Sequence, residues 1–178
     1  MLSFACVLLL LLLAASLVTL ASSTLSNCTK GTNPGWILFR DTGWVTWDEA
    51  KTHCETLGTT MASVLTSFDN DDIANMHSAC GWGGGTFIGG FTNQTDCTQW
   101  QWHDGSTWSY TAWDSSDACA LGQGGQPNSC TVQQCVEWMD DCQLWNNVDC
   151  DSRTTYYYLC NGVCMIVYDR VYDRYVYI

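Results

Sequence analysis

The chain has 178 residues, enough for one domain with a real core, and its 13% aromatic content, with ten tryptophans, excludes intrinsic disorder. Six Lys plus Arg against 18 Asp plus Glu give a net charge of −12, which excludes nucleic acid and anionic membrane surfaces as partners, because both need a basic patch. Twelve cysteines place the working protein in an oxidising compartment.

Residues 4–21 form an apolar run broken only by Ser16 and Thr19, and small residues follow at Ala21, Ser22 and Ser23. This pattern reads as a secretory signal peptide over residues 1–23. An uncleaved anchor is the alternative, since the run just reaches spanning length, but no basic stop-transfer cluster follows it. Both readings put the remainder outside the cytoplasm. A secreted, extracellular chain with no membrane insertion after cleavage is the expectation. Two Asn-x-Thr sequons, at Asn27 and Asn93, make it a candidate glycoprotein.

Thr46-Trp47-Asp48-Glu49 has the form of a capping box, and Ala50, Cys54 and Leu57 recur at helical spacing before Gly58. This predicts a helix over residues 47–57. Met61 to Val64 is a short extended link. Ser67 opens a second helix, with Asp69, Asp71 and Asp72 in its first turn to complement the dipole and Ile73, Met76 and Cys80 as its inner stripe. After the glycines at 83–85 the texture changes to strands, at 86–91, 135–138, 144–150 and 156–160, with a short alternating stretch at Trp100-Gln101-Trp102 and a turn at 103–106. Residues 114–134 are rich in Gly, Ser, Asp and Gln without periodicity and read as one long loop. The tail at 163–178 repeats Val-Tyr-Asp-Arg twice.

These residues, in this order, resemble a C-type lectin-like domain over residues 28–162. The matching text is Thr46-Trp47-Asp48-Glu49-Ala50 with Cys54, then Met61-Ala62-Ser63-Val64 and Phe87-Ile88-Gly89-Gly90, then Trp102-His103-Asp104-Gly105-Ser106, Tyr110 and Trp113, and finally Gln126-Pro127-Asn128, Cys135-Val136-Glu137, Trp145-Asn146-Asn147, Cys150 and Cys160. The resemblance implies an α+β, C-type lectin-like fold: two helices flanking small antiparallel sheets, with a long loop, stapled by disulfides. It also implies the bridges Cys54–Cys160 and Cys135–Cys150. Cys28, Cys80, Cys97, Cys119, Cys130, Cys142 and Cys164 are left without assigned partners. Cys28 with Cys164 would tie the ends, and Cys80 with Cys97 would close the loop around the Phe87 strand. Cys6 leaves with the leader, so an odd number of cysteines remains.

In sugar-binding members of this family the long loop and the following strand hold a calcium ion that two sugar hydroxyls coordinate. Carried onto this chain, the ligand positions are Gln126, Asn128, Gln133, Asn146 and Asn147, all of them amides. Calcium affinity is tuned by ligand charge, so weak calcium binding or none is the expectation, with a trans Gln126–Pro127 bond, or a mixture of trans and cis, when no metal is bound. Asp114, Asp117, Glu137 and Asp149 are the nearby carboxylates that could compensate. The amides could also bind a glycan without metal, since each offers a donor and an acceptor. Trp102, Trp113 and Trp145 lie at family core positions. An enzyme is not expected: Asp140-Asp141 reads as a solvated turn, and His53, His77 and His103 fall on two helices and one turn with no matching nucleophile. The resemblance implies a glycan or glycoprotein partner. The alternative is a lectin-like fold that has lost sugar binding and takes a protein or lipid partner or serves structurally.

Overall fold

The structure, a computed structural model, describes residues 25–119, 122, 124–162, 166–169 and 174–177, the last two stretches as backbone alone. The apolar leader, Cys6 and Cys164 lie outside the described residues.

Helix α1 (Trp47–Thr56) starts where the capping box puts it. The Thr46 hydroxyl accepts the Glu49 N–H at 3.1 Å, and the Glu49 carboxylate accepts the Thr46 N–H at 2.9 Å. Helix α2 (Ser67–Cys80) opens in the same way, but Thr66 rather than Ser67 is its cap, and Asp69 completes the box. It stops at Gly81, whose φ of 68° is the left-handed conformation that glycine adopts without cost. Asp72, expected to serve the dipole, is instead buried. Its carboxylate accepts the backbone N–H of Thr32 at 2.8 Å, that of Asn33 at 2.9 Å and the Thr32 hydroxyl at 2.9 Å. It therefore pins the N-terminal segment to α2 through charge-assisted bonds.

The strands are β1 (Ser26–Cys28), β2 (Trp36–Val45), β3 (Thr60–Met61), β4 (Thr86–Phe91), β5 (Gln101–Trp102), β6 (Cys135–Met139), β7 (Leu144–Val148) and β8 (Thr155–Asn161). They form one sheet in the order β1-β2-β8-β4-β6-β7, with β3 on β8 and β5 on β4. The expected antiparallel sheets are corrected to one mixed sheet, because β4 and β8 run parallel where Thr86 meets Tyr157 and Phe87 meets Tyr158. In the tail, β9 (Ile166–Asp169) and β10 (Arg174–Tyr177) pair antiparallel.

Strand β2 escapes the sequence pattern because Trp36-Ile37-Leu38-Phe39 is a continuous apolar run without alternation and its register shifts after Arg40. Between the pairs Arg40–Tyr157 and Val45–Thr155, Asp41, Thr42, Gly43 and Trp44 stand against Tyr156 alone, a wide bulge.

Apolar side chains fill both faces of the sheet. Phe39, Trp47, Ala50, Phe87 and Tyr158 form the layer under α1, while Leu38, Ile73, Met76, Ile88, Trp138 and Trp145 form the layer under α2. Trp145 is fully buried, with Trp102, Trp108, Tyr110 and Trp113 set edge-on around it. Its indole N–H donates to Asn70 Oδ1 at 2.8 Å, which satisfies the polar atom of this ring. Gly89 is required by close approach, since a Cβ there would sit 2.8 Å from the Met61 carbonyl oxygen.

Five disulfides staple this frame: Cys28–Cys80, Cys54–Cys160, Cys97–Cys130, Cys119–Cys142 and Cys135–Cys150. The alternatives Cys28–Cys164 and Cys80–Cys97 are corrected. Edge strand β1 lies beside the end of α2, where Lys30 Nζ also donates to the Ala79 carbonyl at 3.0 Å, and this places the Cα atoms of Cys28 and Cys80 6.3 Å apart. The corresponding distance for Cys97 and Cys130 is 5.4 Å.

Candidate binding site in the long loop

The loop after Trp113 is folded back on itself by Asp114. The fully buried Asp114 carboxylate accepts the N–H groups of Ala118 at 2.6 Å and Cys119 at 3.0 Å, and its own carbonyl accepts the N–H of Gln126 at 2.8 Å. Cys119–Cys142 ties the first half of the loop to the turn between β6 and β7, and Cys97–Cys130 ties the second half to the segment between β4 and β5. The Gln126–Pro127 bond is cis, not trans or mixed as expected. The intrinsic trans preference before proline is only about 0.5–1 kcal/mol. The contacts on both sides, Gln126 N–H to Asp114 and Asn128 N–H to Asn147, outweigh it.

Asn147, on β7, closes the loop. Its Oδ1 accepts the Asn128 N–H at 2.9 Å, and its Nδ2 donates to the carbonyl of Asn128 and, at 2.8 Å, to that of Gln133. The side chain is fully buried. Three of the five family positions, Asn128, Gln133 and Asn147, are thereby brought together. Gln126 is buried beside Pro127, and neither polar atom of its side chain has a partner among the described residues. Asn146 points to the opposite face of β7 from Asn147, as strand alternation requires. There it meets Glu137 across the ladder and lines a cavity of about 190 Å³ with Asp140 and Asp141. The side-chain oxygens of Gln133 and Asn146 also lack partners among the described residues. Glu137 is 8% exposed and its carboxyl makes no hydrogen bond among the described residues, and burial pushes that carboxyl up to about 7.

These residues do not fit a calcium ion. The set carries no carboxylate, and its central member turns an N–H₂ group, not an oxygen, toward two carbonyls. Two nearby aspartates already serve loop N–H groups: Asp117 takes that of Gly122 at 3.1 Å and Asp149 that of Asp151 at 3.0 Å. Among the described residues no group of three His, Cys, Asp or Glu is placed to hold a metal. Asn147→Asp is expected to cost about 2 kcal/mol in metal-free buffer, because the new carboxylate would face two carbonyl oxygens it cannot bond. Melting with and without millimolar calcium checks this. Calcium should leave the parent unmoved.

The histidines are engaged separately. His53 Nδ1 lies 2.9 Å from the Tyr158 hydroxyl, His77 Nε2 2.6 Å from Thr86 Oγ1, and His103 Nδ1 accepts the Met61 N–H at 3.1 Å. Asp140 and Asp141 lie in the turn joining β6 to β7. The feature sequence reasoning missed is the division of labour between Asn146 and Asn147, which period-2 alternation alone would have exposed.

A family model described as the lectin C-type domain matches residues 44–162. Ladderlectin of Oncorhynchus mykiss is 32% identical over 107 residues, 60% of this chain and 52% of that protein, so the match spans about half of the relative's length. Human lithostathine superposes with a TM-score of 0.57 at 23% identity, covering 76% of this chain and 90% of that one. A calcium-independent type II antifreeze protein superposes with a TM-score of 0.54 at 20% identity, covering 71% and 85%. The match over most of the chain, the two capped helices, the mixed sheet and the loop stapled over β7 agree, and the chain belongs to the C-type lectin domain family.

Proposed function

We propose that this chain is a secreted carbohydrate-binding module that works without calcium. The observation that carries the reading is Asn147. Its amide bonds hold the long loop closed on β7 through protein atoms alone, with no ion in the closure. The leader supports secretion, and Asn93, exposed between β4 and β5, and Asn27, exposed on β1, are the proposed glycosylation sites. Glycosidase treatment of secreted material should lower its apparent mass, and an unchanged mass counts against both sites.

The test of function is a glycan array probed with purified protein in calcium buffer and in chelator. Equal binding in both supports the reading, and binding abolished by chelator overturns its metal-free part. Burial of Gln126, Asn146 and Asn147 favours a second reading, in which the loop has left sugar recognition and the domain takes a protein partner. A blank array from folded protein decides for that reading.

A further inference from the structure

The bulge of β2 builds a feature remote in sequence from the long loop. Asp41, Thr42, Gly43 and Trp44 leave the ladder there, and Trp44 is 50% exposed. Tyr156, 39% exposed, is the residue of β8 opposite them, and its ring meets Trp44 edge-to-face at 5.5 Å. An edge-to-face contact covers one face of one ring and leaves aromatic surface open to solvent. Among the described residues the other aromatics are buried or half-buried, apart from Phe68 on α2.

The bulge is held in place rather than loose. Asp41 Oδ1 accepts the N–H groups of Thr42 at 2.6 Å and Gly43 at 3.2 Å. Arg153 donates to the Trp44 carbonyl at 2.6 Å and to the Glu49 carboxylate. Asp41 Oδ2 has no partner among the described residues. Two cavities flank this ridge and share Asp41 and Thr42. One, of about 410 Å³, is lined by Trp44, Glu49, His53 and Arg153 among others, and the second, of about 450 Å³, by Arg40 and Tyr156. Each falls in the range of about 300–1,000 Å³ typical of small-ligand sites.

Charge decides the ligand class. The whole chain has only six Lys and Arg, yet two of them, Arg40 and Arg153, border this cleft and balance Asp41 and Glu49. Burial lowers the pKa of His53, which leaves it uncharged near neutral pH. In a chain of net charge −12 this is a locally neutral cleft, suited to neither a cation nor an anion. It offers a carboxylate acceptor, a guanidinium fork and a hydroxyl beside open aromatic faces. A pyranose matches all of these: vicinal hydroxyls bridge acceptor and donor, and the polarised C–H face of the ring rests on the electron-rich face of an indole or phenol.

We propose that the cleft at Trp44, Tyr156, Asp41 and Arg153 is a metal-independent binding site for a neutral hexose oligosaccharide, with sugar rings in the two cavities on either side of Asp41 and Thr42. The proposal rests on the carbohydrate-binding reading above but moves the sugar from the long loop to the β2 bulge.

The probe is a panel of neutral hexose di- and trisaccharides titrated calorimetrically into the full secreted chain in chelator. Trp44→Ala and Tyr156→Ser, both at exposed positions, should each weaken binding at least tenfold with unchanged melting, and Asp41→Asn about fivefold. Trp44→Phe should recover part of the loss. Val132→Ser, an exposed change in the long loop, should bind as the parent does. Parent-like binding by Trp44→Ala and Tyr156→Ser, with loss in Val132→Ser, puts the sugar in the loop; it overturns this site and leaves the carbohydrate reading standing. If the folded parent binds no saccharide in the panel or on the array, both fail together.

Discussion

Replacing Cys54 and Cys160 by alanine is expected to lower stability by about 4–5 kcal/mol. The bond joins α1 to β8 across a sequence separation of 106 residues. In the chain-entropy account, a cross-link closing about 100 residues removes roughly 4.7 kcal/mol of freedom from the unfolded chain. Both cysteines are fully buried between α1 and the sheet, so truncation also leaves unfilled space. Domains of this size are stable by only about 5–15 kcal/mol, so the loss is a large share of the total and the double variant should melt well below the parent. Cys119–Cys142 closes only 23 residues and gives the comparison. Its removal should cost about 3 kcal/mol and should fray the long loop first. Urea unfolding of both double variants, read by far-ultraviolet circular dichroism, orders them. Equal losses would refute the loop-length account.

Glu137→Gln is expected to stabilise the protein by about 2–3 kcal/mol at pH 8 and to leave it nearly unchanged at pH 4. Burial with no hydrogen-bond donor pushes the Glu137 carboxyl up to about 7 from an ordinary 4.5. Between those values the folded state holds a proton that the unfolded state has released, so stability falls as pH rises through that window. Below about 4.5 both states are protonated and the cost vanishes. At about 1.4 kcal/mol per pH unit the window is worth roughly 3 kcal/mol. Glutamine keeps the shape and removes the charge. His77 acts in the opposite direction. Burial lowers its pKa, so its contribution is present above its ordinary value and is lost as pH falls. The parent should therefore lose stability on both sides of mildly acidic pH, and the variant on the acid side alone. A variant whose stability still declines between pH 5 and 8 as the parent's does would assign the effect to another group.

What was legible in the sequence was local. The Thr46 and Glu49 box, the α1 stripe of Ala50 and Cys54, the strand at Phe87 and the paired strands around Trp145 all follow from spacing and capping chemistry, and the structure has each within a residue or two. What was not legible depends on contacts between distant segments. Asp72 looks like a first-turn acid until Thr32 and Asn33 arrive from 40 residues away. Strand β2 hides its register in a bulge that only Tyr156 reveals. The remaining disulfide partners depend on where β1 and the long loop come to rest, which no cysteine spacing encodes. At the candidate site the amides were readable as an absence of charge. Their use as internal fasteners was not, because the choice between donor and acceptor is made by the carbonyls of Asn128 and Gln133.

The closure made by Asn147 has a consequence for where such a protein can act. A loop latched by an exchangeable ion follows the ion activity of its surroundings: it opens when the fluid is depleted and lets its cargo go. A loop latched by a side-chain amide has no such dial. An amide does not titrate in the physiological range, so neither acidity nor depletion of divalent ions releases it. The shape is set once, when the chain folds and its cysteines pair, and holds until the domain itself unfolds. The form of this loop is thereby uncoupled from the ionic composition of the surrounding fluid.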